Sequence, residues 1–142
     1  MAGELEIVVQ LTNRGLHACA LSGYPVVTFL NASRVLGFSY QHTPPGPFNI
    51  TTAPPHRVSL RPGASAYVEM AKEACMSSGT RATVLQLRMP GTKGTLTLSL
   101  LAAEPGQWWG YCEAIGNQRV GDQIDTTPAE PSVRKLFSSV NL

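Results

Sequence analysis

Thirteen glycines and eleven prolines cut this 142-residue chain into short pieces, and that punctuation decides what it can fold into. A helix that buries one face needs an unbroken period of about ten residues or more, whereas a strand needs only four to eight residues between breakers. Between the breaks the apolar residues alternate. Leu5, Ile7, Val9 and Leu11 interleave with Glu6, Val8, Gln10 and Thr12 and stop at Asn13-Arg14-Gly15. Val26 to Leu30 is β-branched and aromatic, and Arg34 to Tyr40 is expected to return beside it as a hairpin across Asn31-Ala32-Ser33. Val58 and Leu60 precede the turn Arg61-Pro62-Gly63. Ala66, Val68 and Met70 then share one side, with Tyr67 and Glu69 on the other. Leu85, Leu87 and Met89 form one face before Pro90-Gly91, and Leu96, Leu98 and Leu100 alternate with Thr and Ser after it. This is the pattern of an all-β, antiparallel β-sandwich.

Two segments depart from it. The stretch from Thr43 to Pro55 holds five prolines, which lack the ladder donor of a central strand, so a long, partly extended surface loop is expected. Near the C-terminus, Val133, Leu136, Phe137 and Val140 fall at helical spacing, and Thr127-Pro128-Ala129-Glu130 has the form of a capping box. A short C-terminal helix and a docked extended tail are both compatible with that segment. The organisation expected is therefore a sandwich over residues 1–118 and a C-terminal tail over 119–142, packed on the sandwich or extending from it.

Composition removes several functions. Eleven Lys and Arg against nine Asp and Glu give a net charge of +2 without a basic run, so the clustered cationic footprint of a nucleic-acid binder is missing. No apolar run approaches the twenty residues of a membrane-spanning helix, so membrane association is expected only through a segment outside this chain. His17 and Cys19 form a lone His-x-Cys pair with no second pair at zinc spacing, and no metal or other cofactor is expected. Nucleophile elbows, phosphate loops, dinucleotide fingerprints and paired carboxylates are all missing, which argues against an enzyme.

Trp108, Trp109 and Tyr111 are the candidate binding residues. Adjacent residues on a strand face opposite ways, so one indole is expected at the surface, where aromatic platforms hold sugars or peptide side chains. The structural alternative places one Trp in the core and the other beneath the tail. Asn31-Ala32-Ser33 and Asn49-Ile50-Thr51 match glycosylation sequons but are expected to be incidental. Three cysteines allow three alternative single bridges, and the residues alone do not choose among them.

The run Leu11-Thr12-Asn13-Arg14-Gly15, followed by Cys19-Ala20-Leu21-Ser22-Gly23-Tyr24-Pro25, resembles the signature of an actinobacterial secreted and lipoprotein family of unknown function. Val58 to Ala66 and Leu85 to Pro90 are similar to further segments of that family. The resemblance implies an immunoglobulin-like sandwich outside the cytoplasm with no assigned activity. It also implies a disulfide between Cys75 and Cys112. Cys19 would be left unpaired, because its counterpart pairs with a cysteine nearer the start of other members. The expected function is a non-enzymatic, extracytoplasmic cell-envelope domain that binds an envelope protein or glycan. The alternatives are a carbohydrate- or small-ligand-binding module built on the aromatic platform, or a sensor or spacer ectodomain of a longer membrane protein.

Overall fold

The computed structural model describes residues 3–42, 51, 53–76, 78–102, 108–114 and 121–137. Two four-stranded sheets form the sandwich. The first orders β1 (Glu4–Thr12), β7 (Ser65–Glu73), β12 (Gln123–Thr126) and β5 (Ser39–His42) from edge to edge. The second orders β10 (Leu96–Ser99), β9 (Val84–Arg88), β3 (Val26–Asn31) and β4 (Arg34–Val35). Two short ladders flank them: β2 (Cys19–Leu21) with β6 (Val58–Leu60), and β8 (Gly79–Arg81) with β11 (Gly110–Cys112). Pairing is antiparallel except between β12 and β5, which run parallel.

The alternation read in the sequence sets the registers. Val9 lies opposite Val68 and Ile7 opposite Met70, so their side chains share the inner face of the first sheet. Val27 opposite Leu87 and Phe29 opposite Leu85 make the inner face of the second. These residues interdigitate in one core, where Phe29 meets Phe38 edge-on at 5.5 Å between ring centroids. Gly23 takes a φ of +90°, in the region that favours glycine, and Tyr24 beside it stacks on His42 at 3.8 Å.

The hairpin expected across Asn31-Ala32-Ser33 is shorter than the apolar pattern suggests. Arg34 and Val35 pair with β3 and the Leu36 N–H still donates to the Phe29 carbonyl at 2.9 Å; Leu36 and Phe38 are buried as the chain crosses to the first sheet, where Ser39 begins β5. The crossing runs close beside Tyr111, since a Cβ on Gly37 would stand 3.2 Å from its hydroxyl.

The C-terminal segment lies against β7. Beyond β12, Thr127 and Glu130 continue to bond β7 through Glu69 and Tyr67. Thr127 therefore caps a strand junction and no helix. The helix begins later, as α1 (Val133–Leu136), with Ser132 at its N-cap accepting from the Lys135 N–H at 3.3 Å. Leu136 is fully buried, and its carbonyl accepts from the Thr51 N–H. Val140, Asn49 and residues 43–50 and 52 of the Pro-rich stretch lie outside the described residues.

Candidate functional site

Trp108 and Trp109 stand immediately before β11 and divide between surface and core. Trp109 is 4% exposed and stacks on Phe29 at 5.0 Å, while its carbonyl accepts from the Ala82 N–H at 2.7 Å. Trp108 is 44% exposed. Tyr111, one turn of the pleat further on, packs edge-on against Phe38 at 5.4 Å and is half-buried. Of the three aromatic candidates, Trp108 alone presents a broad surface; Trp109 and Tyr111 pack against Phe29 and Phe38 of the core.

The partner that sequence reasoning missed is Arg81, at the end of β8. Its guanidinium carbon lies 4.2 Å from the Trp108 ring centroid, in the geometry of a cation–π stack. Nη2 of Arg81 donates to the carbonyls of Leu100 and Leu101, at 3.3 and 3.1 Å, so the guanidinium is anchored before it meets the indole. The Arg81 carbonyl accepts from the Asn31 side-chain amide, which ties the same residue to β3. That contact occupies the Asn31 amide of the first sequon. Nothing in the local sequence singles out Arg81, because its partners come from three other segments.

A disulfide closes the base of this region. Cys75 and Cys112 are joined across 37 residues with their Cα atoms 5.3 Å apart, and Cys19 is free and exposed. Two glycines let the bridged strands approach. A Cβ on Gly79 would stand 2.6 Å from the Tyr111 carbonyl oxygen, and one on Gly121 would stand 2.9 Å from the Cys112 sulfur. The Cys112 N–H donates to Asp122 Oδ1 at 2.6 Å, which fixes the end of β11 against the chain leading into β12.

Leu5, Ala74, Cys75, Gly79, Arg81, Trp108 and Gly110 line a cavity of about 260 Å³. It is part apolar and part polar, and Arg81 is the one side chain among these that carries charge at neutral pH. The chemistry available is therefore stacking on an anchored indole, with backbone and guanidinium groups beside it.

Other ionisable groups are buried away from the cavity. Glu69 is 0% exposed with neither carboxylate oxygen hydrogen-bonded among the described residues. Burial, reinforced by the charges of Glu6 and Glu4, pushes it up to about 8. Lys72 is also fully buried, donating to the Glu73 carbonyl at 2.6 Å, and burial lowers it to about 8. Glu130 reaches His56 Nε2 at 3.5 Å. Among the described residues no group of three or more His, Cys, Asp or Glu is placed to hold a metal ion, and no helix is long and apolar enough to cross a membrane.

Fold and site define a disulfide-closed, all-β sandwich domain. The chain belongs to the family described as the domain of unknown function DUF4232, whose family model matches residues 1–130. No curated protein and no solved structure gives a significant match to it.

Proposed function

We propose that this domain is a non-enzymatic binding module that works outside the cytoplasm and holds a cell-envelope glycan at the Trp108 cavity. The observation that carries the reading is the half-exposed Trp108 indole, fixed on Arg81 beside a cavity of about 260 Å³. An indole already held in place offers its face to the C–H face of a sugar ring with little ordering cost. Among the described residues the cavity lining offers an indole, a guanidinium and backbone groups, the chemistry of recognition. The Cys75–Cys112 bridge suits an oxidising compartment, where disulfides persist. The resemblance to secreted and lipoprotein domains points the same way.

Titrating the protein with envelope oligosaccharides while following Trp emission tests the ligand. Saturable change is expected in the parent protein and in Trp109→Phe, with loss in Trp108→Ala. Absence of any saturable change, or its survival in Trp108→Ala, overturns the ligand assignment. Compartment is read separately by labelling Cys19 in intact cells with a membrane-impermeant thiol reagent; labelling only after lysis contradicts an extracytoplasmic location.

A further inference from the structure

We infer that the free edge of β10 is a homotypic interface, at which two copies of this chain pair antiparallel about a two-fold axis through Leu98. Among the described residues β10 is the outermost strand of the second sheet and bonds only to β9 within it. An open edge presents unpaired N–H and C=O groups, a template for another strand unless the chain guards it. The longest edge is guarded: β1 carries Glu4 and Glu6. The far edge of the second sheet, β4, is two residues long and begins with Arg34. β10 has no such protection. From Gly94 to Ala102 the sequence holds neither charge nor proline, and all four β10 residues are exposed.

Leu96 and Leu98 lie opposite Leu87 and Leu85, so they point to the core side of the sheet. Leu85 and Leu87 are buried there, yet Leu96 is 49% exposed and Leu98 37%. The first sheet does not reach over them, leaving a leucine strip beside an open ladder.

The hydrogen-bond phase of this edge fits a second copy of itself. The Leu100 N–H donates to Thr83 O at 2.9 Å, one step beyond the Ser99–Val84 pair. Alternate residues of an antiparallel ladder turn their backbone groups to the same neighbour, so Leu96, Leu98 and Leu100 face β9. Thr97 and Ser99 therefore turn their N–H and C=O groups outward. A two-fold axis at Leu98 sets Thr97 opposite Ser99 of the second copy, and both are outward-facing, as a hydrogen-bonded pair requires. The same axis sets Leu98 opposite Leu98 of the second copy and Leu96 opposite Leu100 of the second copy, on one side. Leu-Thr-Leu-Ser-Leu is thus complementary to itself in backbone phase, in side-chain facing and in its lack of charge. The paired edge would continue the second sheet across the axis as eight strands.

Sedimentation equilibrium of the full chain across the micromolar to submillimolar range tests the interface. A reversible monomer–dimer equilibrium is expected. Thr97→Pro removes an outward donor without touching the β9 ladder, and Leu98→Lys sets two like charges across the axis; each should weaken dimerisation at least tenfold with the far-UV spectrum unchanged. If either variant does not fold, a cysteine pair decides. In a Cys19→Ser background, Leu98→Cys should cross-link two chains on mild oxidation, because directly opposed Cβ atoms lie about 5 Å apart. Thr97→Cys should not cross-link, its copies being offset by two residues. A parent chain that remains monomeric, including one whose edge instead accepts a foreign peptide, overturns the inference. So does a dimer that survives Thr97→Pro, or one that cross-links equally through both cysteines.

Discussion

Thr127 grips the backbone of Glu69 at both ends. The Thr127 N–H donates to the Glu69 carbonyl at 2.9 Å, and the Thr127 hydroxyl accepts from the Glu69 N–H at 2.9 Å. Both residues are fully buried. This two-point clamp joins the C-terminal segment to the central strand of the first sheet. Thr127→Val keeps the shape but leaves the Glu69 N–H without its acceptor, which costs about 1–3 kcal/mol for a buried donor. Urea unfolding is expected to show a lower midpoint with an unchanged slope. A variant within experimental error of the parent would show that the clamp is dispensable.

Glu69 and Lys72 make stability depend on pH in opposite directions. Glu69 is raised from 4.5 to about 8, so the folded state holds its proton where the unfolded chain has released it. Stability from this group is complete below 4.5 and falls as pH rises toward 8. Burial shifts Glu130 and Asp125 upward too, which adds to the same slope. Lys72 is lowered from 10.5 to about 8, so the unfolded chain is protonated where the folded one is not, and stability recovers between 8 and 10.5. Urea unfolding across this range is expected to find a minimum near pH 8. Glu69→Gln should flatten the acid-side fall and Lys72→Met the alkaline rise. A monotonic profile would contradict the assignment.

The clamp and the two buried ionisable groups also mark where the sequence stopped being readable. Strand positions were legible, and so were the buried faces of β1, β3, β7 and β9, because alternation within a strand is local. Glu69 sits on the polar phase of β7, which reads as a solvated face; it is buried because a segment nearly sixty residues later lies along that strand. Trp108 was legible as an aromatic candidate from its neighbour, since only one of two adjacent indoles enters the core. Arg81 was not, because its role depends on carbonyls of Leu100 and Leu101 and on an indole from another strand. The strand at Gln123–Thr126 was missed as well: it is short, and three of its four residues are buried, so it shows no alternation.

The Cys75–Cys112 bridge holds the cavity base and is expected to dominate its stability. Replacing both cysteines with serine removes a closure of 37 residues, worth about 4 kcal/mol in the chain-entropy treatment. Gly121→Ala presses a Cβ to within 2.8 Å of the Glu73 carbonyl at a residue whose φ is +96°, and should cost about 1–3 kcal/mol with the bridge intact. Thermal unfolding of the two variants, with and without reductant, separates the effects. Reductant should lower the melting temperature of the parent and of Gly121→Ala, and leave the serine variant unmoved. Equal sensitivity in all three would mean that the bridge does not carry this stability.

Arg81 positions Trp108, and its removal should be visible in the indole itself. A cation–π stack at a partly exposed site is worth about 0.5–1 kcal/mol, too little to unfold the domain but enough to fix one side chain. Acrylamide quenching of the parent should resolve an accessible component from Trp108 and a protected one from Trp109, whose ring lies against Phe29. In Arg81→Ala the accessible component should quench more steeply and emit further to the red, with the protected component unchanged. Arg81→Lys keeps the charge but not the planar fork that bonds Leu100 and Leu101, so it should fall between the two. The comparison with Lys separates stacking geometry from charge: equality of Lys with the parent would leave charge alone as the cause. A quenching curve unaltered by Arg81→Ala would mean that Trp108 is held by other contacts, and the cavity would then owe its shape to the β8–β11 ladder and the disulfide.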